Sequence, residues 1–343
     1  MRQGKETTAM SVTAQASQAP VLQVSDLEIE IRGGNGPFAV VSDMNLSVRA
    51  GETLCIVGES GCGKSMTALA LLRLLPEAAK VASGKILIDG IDFLAMGERQ
   101  VEDFRGEQIA MIFQEPLTAL NPVLKIGEQI AEAVRQHRRC SRKEAMVKAI
   151  DTLQLVQMPD PQRRAGQYPH ELSGGMRQRA MIALALACDP KIIIADEPTT
   201  ALDVTIQAQI LGLISDLQKR LGTAQILITH DLGVVSEVAD RVIVMYAGRK
   251  VEEASIYDLF DRPFHPYTIG LMGAVPRAGA SSQAGDRLAD ISGTVPPLWD
   301  LPKGCAFAPR CPNASARCLE ERPPFAEKYP GHWAACWEHD DAA

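Results

Sequence analysis

Gly58-Glu59-Ser60-Gly61-Cys62-Gly63-Lys64-Ser65 constrains this chain more than any other stretch, because it fits the spacing G-x-x-x-x-G-K-[ST]. The apolar run Thr53-Leu54-Cys55-Ile56-Val57 reads as a buried strand leading in, and Met66 to Leu72 as a helix leading out. Between a strand and a helix, glycines let the backbone turn tightly, so successive N–H groups and the helix start converge on an anion. Lys64 adds a point charge there, and the Ser65 hydroxyl suits Mg²⁺. The ligand is therefore a nucleotide phosphate, cradled by Gly58, Ser60, Gly61, Cys62, Gly63, Lys64, Ser65 and Met66. Cys62 is expected to offer its backbone amide, with its thiol a point at which alkylation would block the loop.

At 343 residues, 46% hydrophobic and 22% charged, the chain has room for one large domain and a smaller one. No apolar run is long enough for a membrane span, and Gln3, Gly4, Lys5 and Glu6 replace the apolar core of a signal peptide, so a cytosolic protein is expected. A net charge of −7 supplies no basic field, which argues against a nucleic-acid partner.

Residues 1 to 20, rich in Ser, Thr, Gln and Ala, read as a flexible tail. Alternation in Val21 to Val24 and Leu27 to Ile31 predicts half-buried antiparallel strands, with a turn at Gly33-Gly34-Asn35-Gly36. Phe38, the aromatic residue between that turn and the phosphate loop, is a candidate to stack on a base or to pack in the core.

Farther on, apolar strands repeatedly end in polar residues. Ile109 to Phe113 ends at Gln114, Ile192 to Ala195 at Asp196-Glu197, and Ile226 to Thr229 at His230. Ligands of open parallel α/β sheets lie beyond the carboxyl ends of the strands, so these residues are predicted to meet the phosphate loop. Between them, Ile126 to Val134 and Arg142 to Leu155 read as amphipathic helices of an inserted helical subdomain covering about residues 115–187. It closes with Ser173-Gly174-Gly175 opening another helix, a second anion site of the helix-start kind. Two such starts with one phosphate loop suggest that the second completes a site on a partner subunit.

The order of these motifs resembles the ATP-binding-cassette (ABC) ATPases over residues 21 to about 260: phosphate loop, Q-loop at Gln114, signature Leu172-Ser173-Gly174-Gly175, Walker B run Ile192 to Glu197, D-loop at Ala201-Leu202-Asp203 and switch His230. The resemblance implies an α/β P-loop NTPase core with a mixed sheet, an inserted α-helical subdomain, an antiparallel β subdomain and a small cysteine-containing C-terminal extension. It implies a head-to-tail dimer with ATP between the phosphate loop of one subunit and the signature of the other. Carried over, Lys64 and the loop amides hold phosphate, while Ser65, Gln114 and Asp196 order Mg²⁺. Glu197 becomes the general base and His230 a γ-phosphate contact; Ser173, Gly174 and Gly175 face the opposite ATP, and Asp203 couples the two sites.

A narrower resemblance, to the ATPase subunits of dipeptide, oligopeptide and nickel importers, is carried by Phe113 to Pro122, Tyr168 to Arg179 and Arg262 to Thr268. It implies a second ATPase subunit, either another copy of this chain or, as is usual in peptide importers, a related cassette, together with two membrane permease subunits and an external substrate-binding protein, with this chain peripheral at the cytoplasmic face of the inner membrane. The cargo stays open among dipeptide, longer peptide and nickel. Leu117 and Leu120, where a membrane subunit would dock, are each either core or contact residues. DNA-repair cassettes insert a long coiled coil between Q-loop and signature, and translation-associated ones carry two cassettes; this chain has neither feature.

The ATPase domain is expected over residues 21–275 and the extension over 276–343. Of eight cysteines, Cys55, Cys62, Cys140 and Cys188 are scattered and read as small hydrophobes, whereas Cys305-x5-Cys311-x6-Cys318-x17-Cys336 cluster. That spacing departs from the paired C-x2-C of zinc fingers. The run Gly304 to Pro312 resembles the tail of peptide-importer ATPases, some of which carry a four-iron cluster; cluster, zinc and bare thiols remain three readings. His332 reads as an exposed polar side chain or a competing ligand.

Overall fold

The computed structural model describes residues 19–34, 36–199, 203–274 and 291–338. The predicted tail, Asn35 of the predicted turn, Ala201 and Leu202 of the D-loop and the start of the extension lie wholly or mostly outside them.

The chain begins with a hairpin, β1 (Leu22–Gly33) and β2 (Gly36–Val48), whose inward residues include Leu22, Val24, Leu27, Ile29, Val41 and Met44. The core strand β3 (Thr53–Val57) and helix α1 (Lys64–Leu71) follow, and β4 (Ala79–Ile88) and β5 (Ile91–Asp92) then complete a four-stranded antiparallel sheet in the order β2-β1-β4-β5. Helix α2 (Glu98–Glu107) leads to β6 (Ile109–Ile112). A helical layer comes next: α3 (Pro116–Ala119), α4 (Ile126–His137), α5 (Arg142–Leu155), α6 (Pro161–Ala165) and α7 (Gly174–Leu186). Ser141 and Glu144 form a reciprocal capping box at the start of α5, as its sequence requires.

The chain returns to the sheet through β7 (Ile192–Asp196), α8 (Val204–Leu221), β8 (Ala224–Ile228), α9 (Leu232–Val238), β9 (Arg241–Tyr246) and β10 (Arg249–Ser255). Helices α10 (Ile256–Asp261), α11 (Pro266–Gly273) and α12 (Ala316–Glu320) precede the last strands, β11 (Ala326–Tyr329) and β12 (His332–Ala334). The second sheet runs β11-β12-β10-β9-β3-β8-β7-β6, parallel from β9 to β6 and antiparallel beyond. No helix of the described residues is long and apolar enough to cross a membrane.

Strands β3, β7 and β8 are buried along their whole length, the mark of parallel strands covered on both faces. Their period of two splits them between two cores. Leu54, Ile56, Ile194, Ile226 and Ile228 join the antiparallel sheet and α1, while Cys55, Val57, Ile193, Ala195 and Leu227 join the helical layer.

The described part of the extension is built into this sheet, since β12 pairs with β10 and β11 lies outside it. Phe307 reaches back to Tyr246 and Tyr267, with ring centroids at 5.2 and 5.5 Å, in an aromatic group where each well-oriented pair adds about 1 kcal/mol. His332 is buried, not exposed. Its ring is fully buried, with Nε2 at 2.7 Å from Glu252 Oε1, and the same carboxylate accepts the amides of Phe264 (2.7 Å) and His265 (3.0 Å). The exposed reading fails because β12 turns His332 toward β10.

His265 caps α11 by accepting the Tyr267 amide on Nδ1 at 3.1 Å, and its burial lowers its pKa from 6.5 to about 4 against the opposing pull of Glu252. The unfolded chain takes up this proton first, so its contribution is intact above about pH 6.5 and is lost as pH falls toward 4. His265→Asn keeps a cap acceptor without titrating. Urea titrations of this variant are expected to show a flatter decline in stability across that acid window than wild type.

Candidate functional site

Strand β3 stops at Val57 because the next residue must turn away from the sheet. Gly58 has φ +153°, and a Cβ there would lie 2.2 Å from the Met245 carbonyl oxygen of β9. At the far end Gly63 takes a left-handed conformation and caps α1, where a Cβ would stand 2.9 Å from Val40 O. Helix α1 starts with no acidic residue in its first turn, so its first amides point into the loop without a side-chain competitor. Ser60, Gly61 and Ser65 face solvent, whereas Lys64 is buried and donates to Gly58 O (2.7 Å) and Glu59 O (3.0 Å).

The neighbouring strand ends supply the rest. Ser65 Oγ donates to Asp196 Oδ1 at 3.1 Å, at the last residue of β7. Burial pushes the Asp196 carboxyl up, the Ser65 hydroxyl bond opposes this, and the adjacent Glu197 charge reinforces it. Glu197 leaves β7 with φ 44°, a conformation few non-glycine residues adopt, and its amide bonds to Ile228 O of β8 at 2.9 Å. One Glu197 oxygen accepts from Gln114 Nε2 at 3.0 Å, and the other lies 3.3 Å from His230 Nδ1. Lys64, Ser65, Gln114, Asp196, Glu197 and His230, predicted from separate stretches of the chain, thus meet beyond the carboxyl ends of β3, β6, β7 and β8.

A hydroxyl beside a carboxylate is the hard-oxygen set that suits Mg²⁺, an ion that takes its remaining oxygens from phosphate and water.

Ser173 and Gly174 are exposed at the start of α7, where Ser173 makes no side-chain cap. No hydrogen bond among the described residues joins them to the phosphate loop. Gly175 faces Ile206 of α8, and Asp203 caps α8 by accepting the Ile206 amide at 3.0 Å. Cys62 is buried and its thiol is pushed up by that burial, but it does more than lend its backbone: its Sγ accepts from Lys64 Nζ at 3.7 Å, and its carbonyl accepts from Gly248 N at 3.0 Å. Phe38 meets Trp299 edge to face at 5.9 Å. Of the two leucines after Gln114, Leu120 is core at 3% exposure and Leu117 is 53% exposed.

The four clustered cysteines line one cavity of about 370 Å³ together with Phe307, His265 and Trp337. Burial raises the pKa of Cys305 and Cys311, and that of Cys336 to about 11. Sequence reasoning missed what holds the phosphate loop from behind: Arg310 grips Glu59, and the Glu59 amide donates to Tyr267 Oη at 2.8 Å. No spacing rule signals a pair 251 positions apart.

A phosphate loop and a Walker carboxylate pair at the strand ends, with the signature exposed at the start of α7, make the chain an ABC ATPase. Residues 41–200 match the ABC transporter family and residues 251–318 the oligopeptide/dipeptide transporter C-terminal region. The chain is 56% identical to a probable peptide ABC transporter ATP-binding protein of Sinorhizobium fredii, over 94% of this chain and 96% of that one. It is 48% identical to the dipeptide transport protein DppD of Bacillus subtilis (94% and 96% covered) and 48% identical to the oligopeptide transport protein OppD of Salmonella typhimurium (96% and 98%). Among solved structures, a dimeric ATP-binding cassette with ADP and phosphate superposes with TM-score 0.62 at 28% identity, over 68% of this chain and 98% of that one. The chain belongs to the ATP-binding proteins of the peptide ABC transporter family.

Gly58→Ala forces a methyl group against the Met245 carbonyl. A loss of about 2 kcal/mol or more is expected, read as a lowered urea midpoint, together with weakened ATP binding.

Proposed function

We propose that this protein is the ATP-hydrolysing subunit of an importer that drives uptake of di- and oligopeptides across a bacterial inner membrane. The observation that carries the reading is the Glu197 carboxylate, held between Gln114 and His230 at the mouth of the phosphate loop. The peptide cargo is supported by the relatives named for dipeptide and oligopeptide transport and by the C-terminal region shared with them; nickel has no comparable support.

In this reading Lys64 and the amides of Gly61 to Ser65 neutralise the β- and γ-phosphates. Ser65 and Asp196, with Gln114 beside them, would hold Mg²⁺, which would supply positive charge beside the transferring phosphoryl group. Glu197 accepts the proton of the attacking water, while Gln114 and His230 keep its two oxygens aimed and His230 turns toward the γ-phosphate. Ser173, Gly174 and Gly175 serve the ATP of a second cassette, and Asp203, rigid as the cap of α8, couples the two sites.

Exposed Leu117 on α3, with exposed Val123 beyond it, suits a contact with one of two permease subunits. That contact, with an external substrate-binding protein delivering cargo, makes the chain peripheral at the cytoplasmic face. The ATPase domain is assigned residues 21–275 and the extension 276–343, beyond the tail at 1–20.

Cys305, Cys311, Cys318 and Cys336 are assigned to a four-iron cluster. The cavity that all four line supports that assignment.

Glu197→Gln is expected to bind ATP normally and to lose turnover by about a hundredfold or more in a phosphate-release assay; full-speed hydrolysis would remove Glu197 as base. Anaerobically purified protein is expected to contain iron and acid-labile sulfide with visible absorbance, and Cys311→Ser to lose it.

A further inference from the structure

Arg310 belongs to the cysteine-bearing extension, yet its guanidinium lies against the phosphate loop. Nη1 donates to Glu59 Oε2 at 2.6 Å and Nη2 to Glu59 Oε1 at 3.0 Å, a two-pronged pair. The guanidinium is itself held by Ser292 O (3.1 Å), Ile291 O (3.0 Å) and Tyr246 Oη (3.4 Å), and lies within 6 Å of the ring centroids of Tyr246 (5.8 Å) and Phe307 (5.9 Å). Its side chain is 4% exposed, that of Glu59 29%.

Glu59 is the one acidic residue between Gly58 and Ser65. A carboxylate inside a loop that receives a triphosphate opposes its ligand by like charge and offers Lys64 a competing partner. The structure meets both problems at Glu59. Its carboxylate is taken by Arg310, its amide donates to Tyr267 Oη, and its carbonyl accepts the Lys64 ammonium at 3.0 Å.

We propose that Arg310 is a positioning residue for the nucleotide: by gripping Glu59 it cancels the loop's own negative charge and holds the carbonyl that orients Lys64, so the C-terminal extension completes the phosphate site. This rests on the assignment of Gly58 to Ser65 as that site. The assignment goes beyond packing, because its effect runs through the charge of Glu59.

Full-length protein carrying Arg310→Met is expected to bind a fluorescent ATP analogue about tenfold more weakly, the scale of one uncompensated charge near the ligand, with KM rising more than kcat falls. Adding Glu59→Gln to Arg310→Met removes the stranded carboxylate and is expected to recover most of the affinity. Unchanged affinity in Arg310→Met, or a double variant as weak as the single one, overturns the proposal. Should Arg310→Met fail to fold, Arg310→Lys keeps the charge but loses the fork; it is expected to bind several-fold more weakly, and wild-type affinity overturns the proposal. Lys64→Ala separates the two claims. Its loss of ATP binding beside an unaffected Arg310→Met defeats the Arg310 role alone, whereas normal ATP binding by Lys64→Ala defeats the phosphate-site assignment and the proposal with it.

Discussion

Parallel hydrogen bonding among β3, β8, β7 and β6 puts the carboxyl ends of four strands side by side, although the segments carrying them are separated by a hairpin sheet, a helical layer and α8. Everything chemical hangs on that register. Gly58 follows β3, Gln114 follows β6, Asp196 ends β7 and His230 follows β8, so a slip in any pairing would carry one group away from the others. The register is protected by burial on both faces, because a one-residue shift would exchange the residues facing the two cores.

The site also depends on close approach behind the phosphate loop. Gly58 lies against the Met245 carbonyl and Gly63 against Val40, so β9 and β2 set the loop's shape from the rear. At its front the backbone of Glu197 adopts a left-handed conformation anchored to Ile228. Strain of this kind persists where the surroundings over-determine it, and here a bond to the next strand and two side-chain partners do so.

The extension is a third wall of the same structure. Strand β12 lengthens the sheet beyond β10, the Glu252–His332 pair is buried between them, and Phe307 fills the space beside Tyr246 and Tyr267. A buried carboxylate is tolerable there because it accepts two backbone amides as well as the imidazole. The cysteine-lined cavity and the phosphate loop therefore share one scaffold, joined through Arg310 one residue before Cys311.

Motifs with local causes were legible from the chain alone. The glycine spacing of the phosphate loop, the uninterrupted apolar runs of β3, β7 and β8, and the capping pattern of α5 each depend on neighbours a few residues away, so spacing and polarity suffice to read them. The polar residues at strand ends were legible for the same reason. Folding settled matters in which distant segments compete for one place: that Leu120 is core while Leu117 faces solvent, that Phe38 meets Trp299, that His332 pairs with Glu252, and that Arg310 closes on Glu59. Charge and hydrophobicity are properties of single residues, but which partner satisfies them is set by packing across the whole chain, and no periodicity records that.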